Sequence, residues 1–109
     1  MLKDKIVCVR LKRSYHEDPN WAYIGKCVQW SDDWIAVHGK GVMIMRGRNR
    51  PVEIDKELRP MVFPRENIMG IRVLPDDFSV KTIDIGIDGS KLTMTVPGGA
   101  PCVIAEVGE

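Results

Sequence analysis

The chain has 109 residues, of which 44% are apolar and 28% charged, and its formal net charge is +1. That balance fits a single soluble globular domain and excludes disorder, collagen, a disulfide scaffold and a membrane protein. The longest apolar runs, such as Val42-Met43-Ile44-Met45, fall far short of the roughly 20 residues a bilayer demands. No apolar stretch follows Met1-Leu2-Lys3-Asp4-Lys5, so no secretory leader is expected and the cytoplasm is the expected compartment.

Strand-like stretches recur along the chain, and no helical stripe persists. Ile6 to Leu11 is β-branched and apolar. The Asp18-Pro19-Asn20 turn signal follows, and Ala22 to Trp30 reads as a second strand. Ser31-Asp32-Asp33 is a tight turn, and Trp34 to Val37 opens a third strand. Gly39 and Gly41 interrupt it, which suggests a bend or bulge before it resumes through Val42 to Met45. Arg46 to Pro60 is polar and basic, and reads as a loop or short helical turn with a strand fragment. Met61-Val62-Phe63 is a fourth strand, ended by Pro64, and Ile68 to Leu74 a fifth. Beyond Pro75, Ile83, Ile85 and Ile87 alternate with polar residues and glycine up to Asp88-Gly89, a favoured hairpin turn. Leu92, Met94 and Val96 alternate on the return, and Cys102 to Ala105 is a last strand. One apolar face of this hairpin must be covered, because an isolated hairpin is marginal in water.

Charge is uneven along the chain. Residues 40–65 hold seven basic side chains against three acidic, and residues 76–109 hold two against six. The basic middle is a candidate anion-binding patch, with a solvated loop as its alternative. Arg46, Arg48 and Arg50 alternate, so on a strand they would form one row able to contact phosphates. The odd count of three cysteines, with no close pair, argues against a disulfide framework or a cysteine zinc site. Cys8, Cys27 and Cys102 each sit in an apolar stretch and read as small buried hydrophobes. The two histidines, His16 and His38, are far apart, and Asp32-Asp33 belongs to a turn. With no nucleophile, phosphate-loop or metal motif, no enzyme activity, catalytic residue, metal site or cofactor is expected.

The segment Gly25-Lys26-Cys27-Val28-Gln29-Trp30-Ser31-Asp32-Asp33-Trp34-Ile35-Ala36-Val37 resembles the first signature of the Sm-like superfamily, which includes the Lsm and Hfq proteins. Gly25, Cys27, Trp30, Trp34 and Val37 match its spacing. Phe63 to Ile71 is similar to the second signature in its Hfq form, with Arg65 at the basic position. The resemblance spans about residues 5–75. It implies an all-β fold: a small, strongly bent five-stranded antiparallel barrel (Sm-like or SH3-like) over residues 1–75. The alternation beyond Pro75 adds residues 76–109 as a C-terminal β-hairpin or meander packed on the barrel or on a neighbouring subunit.

The resemblance further implies a cyclic homo-oligomer. Its interface would pair the fourth strand of one subunit (Met61, Val62, Phe63) with the fifth of the next (Ile68, Ile71, Val73). The departures bear on function. Ser31, Asp33 and Ile35 stand where the family carries an aspartate, a base-stacking side chain and an asparagine, and Glu66 stands where it carries glycine or histidine. Asp33 cannot stack on a base and would repel phosphate. The expected function is therefore a non-enzymatic structural or adaptor ring with weak or lost uridine-type RNA binding, and no membrane partner. The alternative is a genuine ring for RNA or single-stranded DNA. Its candidate contacts are Arg46, Arg48, Arg50 and Arg65, with Trp30 as a stacking platform; core or interface packing is the other use open to Trp30.

Overall fold

The computed structural model describes residues 1–12, 20–44, 52–88 and 91–106. The described fold is all-β, built on an antiparallel sheet of six strands. β1 (Ile6–Leu11), β2 (Asn20–Trp30) and β3 (Trp34–Ile44) come first. They are followed by β4 (Val52–Ile54), β5 (Arg59–Pro64), a 3-10 turn (Arg65–Asn67) and β6 (Ile68–Val73). β6 returns to pair with β1, and the order across the sheet is β4-β3-β2-β1-β6, with β5 also on β3. The third strand runs unbroken through Gly39 and Gly41, where the sequence suggested an interruption.

β3 serves two partners along one edge. Trp34 to Gly39 pair with β5, and Val42 to Ile44 pair with β4. Asp55 closes the step between them. Its amide donates to the Gly41 carbonyl at 3.0 Å, and its carboxylate accepts the Gly41 N–H at 2.9 Å. A short strand fragment was expected within Arg46 to Pro60, and β4 supplies it.

Both faces of the first sheet are apolar. Val7, Val9, Leu11, Tyr23, Cys27, Ile35, Val37 and Phe63 form one core, into which the sheet folds over itself. On the opposite face lie Cys8, Ala22, Ile24, Val42 and Ile44. A strand with this continuous apolar character has to be covered on both sides. The cover is a second sheet of β7 (Ile85–Asp88), β8 (Lys91–Met94) and β9 (Cys102–Glu106), in the order β7-β8-β9. Its Leu92, Met94, Val96, Cys102 and Ile104 join the second core, together with Leu74 and Phe78 of the connection. The hairpin register sets Ile85 opposite Met94 and Ile87 opposite Leu92, as the alternation predicts. The Gly89 half of its turn lies outside the described residues.

Folding the first sheet over itself requires a close backbone approach. Gly25 of β2 pairs with Gly39 of β3. A Cβ on Gly25 would stand 2.5 Å from the Gly39 Cα, and one on Gly39 would stand 2.6 Å from the Gly25 Cα. No side chain can relieve such a clash, since the atoms are backbone. Tyr23 locks the same corner from inside. Its hydroxyl lies 2.6 Å from the Arg59 carbonyl and 3.0 Å from that of Gly39, and with one proton it donates to one of them at a time.

Two outcomes follow from this architecture. Gly39→Ala should lower unfolding free energy in urea by about 1–3 kcal/mol or more, as overpacking does. Truncation after Pro75 would uncover Ala22, Ile24, Val42 and Ile44 and forgo roughly 1.5–3 kcal/mol for each large apolar side chain of the lost sheet. The truncated chain should therefore melt well below the full-length protein or aggregate. An unchanged melting temperature would show the second sheet to be an independent appendage.

Candidate functional site

The two candidate contacts at Trp30 and Arg65 meet. Ser31 to Trp34 is a turn held by its own serine. The Ser31 hydroxyl donates to the Trp34 carbonyl at 2.7 Å and accepts the Trp34 N–H at 3.1 Å. Pro64 ends β5 in an extended conformation and delivers Arg65 to the start of the 3-10 turn. The Arg65 amide then donates to the Asp33 carbonyl at 3.0 Å, and its side-chain Nε donates to the Ser31 carbonyl at 2.7 Å. The guanidinium lies over the Trp30 ring, 4.1 Å from its centroid.

This geometry makes Arg65 a clamp between the turn and β5. Trp30 has one face under the guanidinium, and it is half-buried against the core that contains Phe63. The face under Arg65 is closed to a base. Asp32, Asp33 and Glu66 are exposed around the clamp, and their charge opposes a phosphate backbone. Trp34 is half-buried and belongs to neither core. Trp21 packs edge-on against Tyr23 and Phe63, at centroid distances of 6.3 and 5.8 Å.

Arg46, Arg48 and Arg50 lie outside the described residues, as does His16. Of the expected interface residues, Phe63 is buried in its own chain's core, and Met61, Ile68 and Ile71 pack against that core. Val62 and Val73 are exposed. Among the described residues no three His, Cys, Asp or Glu side chains gather to hold a metal ion. No helix among them is long and apolar enough to cross a membrane.

Sequence reading treated the cysteines one at a time, yet two of them meet. Cys8 of β1 and Cys102 of β9 line one cleft of about 340 Å³ between the sheets, together with Arg10, Gly70, Arg72 and Pro101. The Arg72 guanidinium donates to the Pro101 carbonyl at 2.8 Å and to that of Ala100 at 2.7 Å, which fastens β6 to the start of β9. The Arg10 Nε is buried without a hydrogen-bond partner among the described residues. Interaction with the Cys8 thiol, reinforced by the Arg72 charge, holds the Cys102 thiol below its ordinary value. Cys8, beside Cys102 and buried, is pushed upward. Only the odd spacing of apolar and cationic residues in Cys8-Val9-Arg10 and Ile71-Arg72 hints at this in the sequence, since the partners are remote along the chain.

Comparison of the chain with family models, curated proteins and solved structures gives no match. The functional reading accordingly rests on the geometry itself.

If Arg65 acts as a clamp, Arg65→Ala should cost about 1–2 kcal/mol in urea unfolding, from a charged hydrogen bond and a cation–π contact. Arg65→Lys should recover less than half of that, because an ammonium cannot reproduce the planar stack and fork. Full recovery by lysine would mean that charge alone matters there.

Proposed function

We propose that the protein is a non-enzymatic, ring-forming oligomer of the Sm-like kind, acting as a structural or adaptor assembly whose uridine-type pocket is lost. The observation that carries this reading is a pair of open strand edges. Among the described residues β5 pairs only with β3, and β6 only with β1. The Trp34 backbone faces Ser31, so the Trp34–Pro64 pair is not hydrogen-bonded. By the two-residue period, Pro60, Val62 and Pro64 turn their backbone groups outward from β3. Lacking N–H groups at both prolines, this edge is rich in acceptors.

The β6 edge is its complement. Leu74 N–H donates to the Ile6 carbonyl at 2.8 Å, so the alternation leaves Val73 and Ile71 with outward N–H and C=O groups. Donors on β6 would meet acceptors on β5 of the next subunit. Val62, Met69 and Val73 are 60%, 52% and 46% exposed beside these edges, and pairing would cover them. Unpaired apolar edges invite open-ended association, and a closed ring removes the hazard. The return of β6 to β1 and the stacking of β5 on β3 also support the small bent barrel that such a ring uses. Loss of the pocket is supported by the engagement of Trp30 and Arg65 with each other and by the carboxylates around them.

Light scattering at micromolar concentration tests the assembly. The mass should be a whole multiple of 12.3 kDa greater than one, and Val62→Lys should dissociate it by placing a charge on the edge. A monomeric wild-type mass would overturn the reading. Oligonucleotide binding that is tight and falls steeply with salt would instead favour a nucleic-acid ring using Arg46, Arg48 and Arg50.

A further inference from the structure

The floor of the cleft between the two sheets is a second chemical site, independent of any ring. Cys8 and Cys102 come from opposite layers, line one cleft and belong to one buried cluster. Two guanidinium side chains, Arg10 and Arg72, line the same space. Gly70 lines it too, and a Cβ there would meet nothing within 4 Å, so the space beside it is unobstructed. Cys27 is the internal contrast. It is buried in the other core, outside this cleft, and burial pushes its thiol upward.

We propose that Cys8 and Cys102 are a redox-active dithiol and that a small hydroperoxide is its oxidant. The two sulfurs are 1% and 2% exposed as residues, so the oxidant has to be small enough to enter the cleft, which disfavours a bulky peptide disulfide. The Cys102 thiolate attacks one oxygen of the peroxide. The O–O bond breaks, a sulfenic acid forms on Cys102, and the leaving alkoxide or hydroxide takes a proton to become alcohol or water. The Cys8 sulfur then attacks the Cys102 sulfur. The S–O bond breaks, the hydroxyl leaves as water with the Cys8 proton, and a disulfide joins β1 to β9. Two thiols are oxidised, and the peroxide accepts the two electrons.

Each neighbour has a part in this. The Arg72 guanidinium stabilises the attacking thiolate, as cationic neighbours do for reactive cysteines. The Arg10 Nε, without a partner among the described residues, can donate to the oxyanion that leaves. The product disulfide would fasten the second sheet covalently to the first, so the oxidised protein should be harder to unfold.

The test uses the full-length protein and hydrogen peroxide. Near pH 7 the treated chain should lose the mass of two hydrogen atoms, and peptide mapping should show Cys8 linked to Cys102 with Cys27 untouched. Cys8→Ser should stop the reaction at a Cys102 sulfenic acid, trapped by dimedone. Wild-type alkylation by iodoacetamide provides a readout that needs no variant. A thiol held below its ordinary value carries more thiolate at pH 7 than an unperturbed one, partly offset by weaker nucleophilicity. Cys102 should therefore react about fivefold faster than Cys27, with a midpoint below that of Cys27 that rises in Arg72→Ala. Oxidation of Cys102 to a sulfinic acid without a link to Cys8 would overturn the proposal. So would equal reactivity of Cys27 and Cys102. Faster oxidation by glutathione disulfide than by peroxide would overturn the assignment of the oxidant.

Discussion

A sheet that is apolar on both faces cannot be stable alone, and most features of this fold answer that constraint. β1 places Val7, Val9 and Leu11 on one side and Cys8 on the other, and β2 and β3 divide in the same way. One face is covered by folding the sheet onto itself. This demands that β2 and β3 approach at Gly25 and Gly39 without side chains between them. The other face is covered by a separate three-stranded sheet. The connection carries Leu74 and Phe78 into the same core, and the tail thereby becomes part of the domain.

The polar clamps lie at the rims of these two cores, where burial alone leaves freedom. Tyr23 ties β2 to the β3–β5 corner from within. Arg65 ties the Ser31 turn to the end of β5, and Arg72 ties β6 to the entrance of β9. Among the described residues the ion pairs Lys5–Asp76, Lys26–Asp4 and Arg59–Asp55 involve mostly exposed side chains. Such surface pairs contribute about 0–1 kcal/mol each, so the guanidinium-to-carbonyl bonds matter more. Arginine does this work where a carbonyl has to be reached over a hydrophobic rim. Its stem packs on the core while its planar head donates at the edge.

Much of the strand pattern was legible in the sequence because β-branched runs and Gly or Pro punctuation are local signals. Ile6 to Leu11 appears with those bounds, and the alternation in Ile85, Ile87, Leu92 and Met94 predicts the hairpin register. The third strand was misread as interrupted, because glycine in a strand signals either a break or a close approach. The partner that decides between them, Gly25, lies on another strand. The pairing was encoded, since Gly25 and Gly39 are nearly symmetrical about the Ser31-Asp32-Asp33 turn. The site was less legible. Arg65 was singled out as a phosphate contact by its position in a motif, whereas its Nε is held by the Ser31 carbonyl. The meeting of Cys8 with Cys102 depends on how two sheets stack, and no local pattern carries that.

The central claim is that the two sheets share one core and stand or fall together. Native-state hydrogen exchange of the full-length protein tests it most directly. Central amides of β8 and β9 should open only with the global unfolding of the chain, at the same free energy as those of β2 and β3. If the β8 and β9 amides exchanged at a much lower free energy while β2 and β3 stayed protected, the second sheet would be a separate unit, and the account of a doubly covered sheet would be contradicted.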